Sequence, residues 1–233
     1  MSTTWLDIAA GTDDRHLVSS YDELPADLPI PVDDGGAEHL IGSVVPAVWL
    51  PATGGANITI HELPGRTVLF VYPRTGTPGQ ALPTDWDDIP GARGCTPQAC
   101  GIRDSHAEFV GLDARVFGLS TQSAADQLEA SRRLQLPYPL LSDSELAMAR
   151  EWELPTFSVD GLTLTRRITI FLMNGIVDGI IYPVFPPDQS AQRALAWLHE
   201  QNSAGRTSHR VDRRPPVPQR RGMPHPIPPR MDR

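Results

Sequence analysis

The stretch that most limits what this chain can become is Thr67-Val68-Leu69-Phe70-Val71-Tyr72. Six consecutive apolar or β-branched residues leave no polar face for water, so they read as a strand buried on both sides of a sheet, ended by Pro73. Such a strand belongs to parallel pairing, and parallel neighbours need crossover helices. The spacing downstream supplies them. Apolar Ile102, Ala107, Phe109 and Leu112 predict one helix running to about Leu112, and Arg115–Ser120 is a second buried strand. Ser123 caps a helix from Ala124 to about Leu134, Pro137–Leu141 is a short extended segment, and Asp143 or Ser144 caps a helix through Trp152. Leu162–Met173 and Ile176–Tyr182 flank the hairpin turn Asn174-Gly175, and Ser190–Glu200 is a last helix. Ahead of the central strand, Ser43–Leu50 and Ala56–Ile60 form a hairpin around Pro51–Gly55. The sum is an α/β fold with a mixed central sheet flanked by helices.

Both cysteines of the chain, Cys95 and Cys100, fall at the start of the helix that follows the central strand. Pro97 suits a first helical turn, where its missing N–H would have had no partner anyway. Cys95 therefore meets free backbone N–H groups and the positive end of the helix dipole, which favour the thiolate, the reactive form. On one helix the two Cα atoms are about 8 Å apart at 1.5 Å rise per residue, beyond the roughly 7 Å that a disulfide tolerates. The pair closes only if the first turn unwinds. Two readings stay open on spacing alone: a catalytic pair that cycles between conformations, or two ordinary buried cysteines. A metal site is disfavoured, because His106 is the only nearby nitrogen ligand. A strand–helix–strand unit with a thiol at the start of its helix is the thioredoxin arrangement.

Charge and composition remove other classes. A net charge of -8 with pI near 5.3 argues against a nucleic-acid binder, and no stretch reaches the roughly 20 apolar residues that span a bilayer. The first residues, with Asp7, Asp13 and Asp14, do not resemble a secretory signal, so a reducing, cytoplasmic setting is expected. Residues 1–37 read as a loosely ordered arm with one helical turn near Tyr21–Leu24, residues 38–202 as the folded domain, and residues 203–233, rich in Pro and Arg, as a disordered tail. Between Arg74 and Gly94 runs a long connection with little periodicity, which should cover or line the thiol site. Trp86 in its midst reads as a side chain that pins it to the surface.

Three local features resemble the peroxiredoxins of the bacterioferritin comigratory protein or peroxiredoxin Q type, over about Leu40 to Gln201. Phe70-Val71-Tyr72-Pro73-Arg74-Thr75-Gly76-Thr77-Pro78-Gly79 is similar to the family's strand and Pro-x-x-x-Thr-Pro-Gly loop. Cys95-Thr96-Pro97-Gln98-Ala99-Cys100, followed by Arg103-Asp104, is similar to its peroxidatic cysteine and a resolving cysteine five residues on. Arg167-Ile168-Thr169-Ile170-Phe171-Leu172 resembles the strand whose leading Arg sits beside the peroxidatic sulfur. One departure matters: about fifteen residues, Gln80–Gly94, separate the Thr-Pro-Gly loop from Cys95, so the family's threonine hydroxyl either comes from Thr77 across the insertion or is missing. Ala92 occupies the position three before Cys95, and Arg93 is a neighbour the family pattern does not supply.

The resemblance implies a thioredoxin-like fold and a thiol peroxidase acting on hydrogen peroxide or organic hydroperoxides. Cys95 would attack, Arg167 and Thr77 would assist, Cys100 would resolve the sulfenic acid as an intramolecular disulfide, and thioredoxin or a similar dithiol would reduce it. No cofactor, metal, nucleic acid or membrane is expected, and the chain would be a monomer or homodimer. A thiol–disulfide exchange or redox-sensing module, or a catalytically silent scaffold, are the alternatives.

Overall fold

The computed structural model describes residues 24–211. The helical turn expected near Tyr21 lies almost wholly outside them, as does the tail from Asp212 on. The chain falls into two units, one ending at Leu198 and one beginning at His199.

The six-residue apolar run forms the central strand β3 (Arg66–Val71), after two short strands, β1 (Leu50–Pro51) and β2 (Asn57–Ile58). It is followed by helix α1 (Cys95–Asp104), helix α2 (His106–Gly111), strand β4 (Ala114–Ser120), helix α3 (Ala124–Arg133), strand β5 (Leu140–Ser142) and helix α4 (Ala147–Glu151). Then come strands β6 (Thr156–Val159), β7 (Leu162–Thr165), β8 (Ile168–Met173) and β9 (Ile176–Ile181), and helix α5 (Ser190–Val211). The five-stranded sheet has the order β5-β4-β3-β8-β9. β3, β4 and β5 run parallel, whereas β8 and β9 are antiparallel to their neighbours. This is the expected mixed α/β sheet, with β3 in its middle.

Alternation along β3 divides the core. Val68, Phe70 and Tyr72 face the layer of α1, α2, α3 and α5, where Phe70 meets the Phe109 ring edge-on at 5.8 Å. Leu69 and Val71 face the opposite layer, built by residues 37–60 and α4, with Leu40, Ile60, Met148 and Trp152 fully or almost fully buried. Burial on both faces removes the apolar run from water, the largest favourable term available to it.

Several elements depart from the sequence expectation. The helix expected to run unbroken to Leu112 is divided at Ser105, whose ψ of 3° leaves the helical region; serine competes for backbone hydrogen bonds and favours helix ends. The strand expected over Leu162–Met173 breaks at Arg166 and Arg167. Its first half pairs with β6 through the turn Asp160-Gly161, whose φ values of 48° and 75° suit a tight hairpin. The hairpin expected at Ser43–Ile60 shrinks to two residues per strand, with Pro46 and Pro51 unable to donate to a ladder. The last helix passes Glu200 and runs to Val211; no proline stops it before Pro215. The arm is tied down in its described part: Tyr182 donates to Asp34 at 2.8 Å and Ala37 is buried in the core.

Candidate active site

The register of β3 and β8 brings the two halves of the site together. Val71 pairs with Ile168, so the residue before β8, Arg167, stands at the end of β3 from which the chain leaves toward α1. The connection passes through Arg74–Gly76, where Gln122 accepts from Thr75 N at 2.7 Å and Arg133 donates to Gly76 O at 2.8 Å. It then makes the long excursion and returns at Gly91–Gly94. Trp86 is buried within this excursion against Ala92, Leu164 and the Phe157 ring, so it pins the loop as expected.

Gly94 precedes α1 with φ of 98°, a conformation that suits glycine. A Cβ there would stand 2.3 Å from Pro187 Cγ and 2.7 Å from Leu24 Cδ2. The helix thus begins in a space that only a glycine fits, and Cys95 is its first residue. The Cys95 side chain is buried, 4% exposed, above Phe70 and Tyr72. As a thiol it directs its S–H toward Ala92 O at 3.7 Å.

Arg167, 3% exposed, is the organising side chain. Its Nη2 donates to Cys95 Sγ at 3.2 Å and reaches Gly91 O, Ala92 O and Arg93 O at 3.3, 3.2 and 3.1 Å. Its Nη1 donates to Gln98 Oε1, and Gln98 in turn donates to Ser190 Oγ at 3.0 Å. One guanidinium therefore holds the sulfur, the returning end of the excursion and the first turn of α1. Arg166 points elsewhere: it lies 4.0 Å from the Asp34 carboxylate and 5.9 Å above the Phe157 ring.

Two phenols border the thiol helix without adding charge. Tyr72 donates to Gln127 Oε1 at 2.6 Å, and Tyr138 donates to Ala99 O at 3.0 Å. Burial, first among the causes, pushes both phenols far above their ordinary range, so they stay neutral donors. Beside the sulfur, a small cavity of about 10 Å³, room for roughly one water, is lined by Arg74, Gly76, Leu82, Trp86, Arg93, Gly94, Cys95 and Thr96.

Of the residues singled out from the sequence, Cys95 and Arg167 are in contact. Cys100 is on the same helix and partly exposed, and no disulfide joins it to Cys95. Thr77 is half-buried on the loop beyond Gly76 and is not among the residues lining the cavity at Cys95. Gln98 was not singled out; its place three positions after Cys95, on the same side of the helix, is the signal that points to it. Thr96, 2% exposed, is another such residue. Among the described residues, no group of three or more His, Cys, Asp and Glu side chains is placed to hold a metal, and no helix is long and apolar enough to cross a membrane.

Comparison with known proteins places these features in context. The family profile described as Redoxin matches residues 40–195. The chloroplastic peroxiredoxin Q of Gentiana triflora is 31% identical over 190 residues, covering 79% of this chain and 78% of that protein. The chloroplastic peroxiredoxin Q of Sedum lineare is 28% identical over 158 residues, 67% of this chain and 76% of its own. Among solved structures, peroxidoxin BcpB from Mycobacterium tuberculosis is similar with a TM-score of 0.55 at 28% identity, over 69% of this chain and 96% of that one.

Proposed function

Because the chain belongs to the redoxin family, as a peroxiredoxin of the peroxiredoxin Q type and hence a thiol peroxidase, we propose that Cys95 is its attacking thiol, Arg167 its activating cation and Cys100 its resolving thiol. The observation that carries this assignment is the 3.2 Å contact between Arg167 Nη2 and Cys95 Sγ. A planar guanidinium is always charged and presents several donors at once, so it can hold a sulfur anion and a peroxide oxygen together.

In the reaction, the Cys95 thiolate attacks one peroxide oxygen. The S–O bond forms as the O–O bond breaks, and the leaving oxygen departs with the electron pair, taking up a proton to become water or an alcohol. Arg167 and the free first-turn N–H groups of α1 face the charge that develops. Cys95 becomes a sulfenic acid. Cys100 is five residues along the same helix, about 8 Å between Cα atoms, so the first turn must unwind before its sulfur can attack. That unwinding detaches Gln98 from Arg167 and Ser190. The S–S bond then forms, the S–O bond breaks and water leaves.

A dithiol reductant of the thioredoxin class would return both cysteines to thiols. We propose a reducing setting such as the cytoplasm, which a dithiol that cycles through a disulfide suits. The test is stopped-flow oxidation of the reduced protein by hydrogen peroxide, followed by mass measurement. Cys95→Ser is expected to abolish turnover, and Cys100→Ser to allow one turnover that ends in a trapped sulfenic acid. Full peroxidase activity in Cys95→Ser would overturn the assignment; slow peroxide consumption with rapid disulfide exchange would favour the thiol-exchange alternative.

A further inference from the structure

Tyr138 donates to Ala99 O at 3.0 Å, and Ala99 lies on α1 between the two thiols, next to Cys100. The phenol is buried beneath the helix beside Phe70 and Ile102. Its mounting does not belong to the part of the chain that unwinds. Pro137 and Pro139 flank it and restrict the backbone on both sides, and Pro139 O accepts from Gly118 N of β4 at 3.0 Å. The ring stacks on His106, with centroids 6.1 Å apart and planes 23° from parallel. His106 is the first residue of α2, beyond the break at Ser105. The other buried phenol, Tyr72, spends its hydroxyl on Gln127 of α3 and leaves α1 alone. On a helix, side chains five residues apart point about 140° away from each other, so the Cys95 and Cys100 sulfurs meet only when the residues between them turn. Ala99 then takes its carbonyl away from a hydroxyl that cannot follow, and a buried donor left without its acceptor is costly.

We propose that Tyr138 is a positioning residue that latches α1 in its helical form and thereby sets the rate at which Cys100 resolves the Cys95 sulfenic acid. The inference rests on the peroxidase reading with these two cysteines and adds the group that times its second step. The latch has a chemical consequence. While α1 stays helical, the sulfenic acid waits beside the peroxide entrance, and two fates compete for it. Resolution forms the S–S bond, breaks the S–O bond and releases water. A second peroxide molecule instead forms a second S–O bond as its own O–O bond breaks, releasing water or an alcohol and carrying Cys95 to sulfinic acid. By delaying the first fate, the Tyr138 hydroxyl raises the share of the second.

The experiment is Tyr138→Phe, which keeps the ring and its stack on His106 and removes the hydroxyl. The reduced full chain, native or variant, is mixed with hydrogen peroxide and quenched with acid at intervals, and sulfenic acid, disulfide and sulfinic acid are told apart by mass. In the variant the disulfide is expected to form roughly tenfold faster, the effect of no longer orphaning a buried donor. The share of Cys95 that ends as sulfinic acid is expected to fall by about the same factor, and the first oxidation to stay within about twofold. Thermal unfolding of both redox forms separates a latch from mere packing. The reduced variant should melt about 2–4 °C below the reduced native protein, whereas the two disulfide forms should melt together; a packing role lowers both forms alike. An unchanged resolving rate, or equal losses of melting temperature in the two forms, overturns the latch and leaves the peroxidase reading intact. Failure of the native protein to form a sulfenic acid at Cys95, or a disulfide from it to Cys100, overturns both.

Discussion

Arg167→Met removes the charge and every donor of the organising side chain while keeping much of its apolar stem. Gly91 O, Arg93 O and Gln98 Oε1 lose their partner, and Ala92 O keeps only the Cys95 S–H. At about 1 kcal/mol for each orphaned acceptor the loss is roughly 3 kcal/mol, and relief from holding a buried guanidinium out of water returns part of it. A net destabilisation of about 2–3 kcal/mol corresponds to a fall in melting temperature of roughly 5–10 °C for a domain of this size. The kinetic effect is separate. Loss of the charged donor on Cys95 Sγ, worth about 1.5–3 kcal/mol, slows oxidation by hydrogen peroxide roughly 10- to 150-fold. Arg167→Lys keeps the charge but not the fork and is expected to fall between the two proteins in both measurements. Thermal unfolding and stopped-flow oxidation read the two effects independently. If Arg167→Met melts within about 1 °C of the native protein, the carbonyl clasp contributes nothing; if its rate stays within about threefold, another group activates the sulfur.

Two further outcomes follow from packing. Gly94→Ala places a Cβ against Pro187 and Leu24 at 2.3 and 2.7 Å on a backbone with φ of 98°. Left-handed strain and overpacking together should lower stability by about 2–4 kcal/mol, measured by denaturant unfolding; a loss under about 0.5 kcal/mol would mean the roof over the helix start yields freely. Trp86→Ala empties the small cluster with Ala92, Leu164 and Phe157, which is separate from the main core. Limited proteolysis is expected to cut the variant within 80–93 while the sheet stays folded; resistance equal to the native protein would show that something other than Trp86 holds the loop.

Much of this architecture was written in local patterns. The unbroken apolar run at 67–72 announced a central strand, and Pro97 after Cys95 announced the helix start. Ser123 caps α3 as its position suggests, accepting from Asp126 N at 3.1 Å. Asp143 caps α4 from farther back than usual, accepting from Met148 N and Ala149 N at 3.0 and 2.8 Å. Arg167 leads the Ile168–Leu172 pattern and lies on the sulfur side, whereas its neighbour Arg166 lies on the Asp34 side. What stayed hidden depends on tertiary placement. Nothing local says that the chain breaks between Thr165 and Ile168 so that one half pairs with β6 and the other joins the main sheet. The turn Asp160-Gly161 was a readable hairpin signal, overshadowed by the apolar length of Leu162–Met173. Gln98 and the Gly91–Arg93 carbonyls matter only because Arg167, some seventy residues later, is delivered beside them.

The clasp that Arg167 lays on Gly91, Ala92 and Arg93 uncouples the length of the chain before Cys95 from the position of its sulfur. Trp86 anchors the middle of the excursion and the polypeptide is regripped just ahead of the helix, so only the stretch before that anchor behaves as slack. Its outer part, with Gln80 and Ala81 exposed, is therefore a place where residues can be grafted or trimmed and the thiol left where it is.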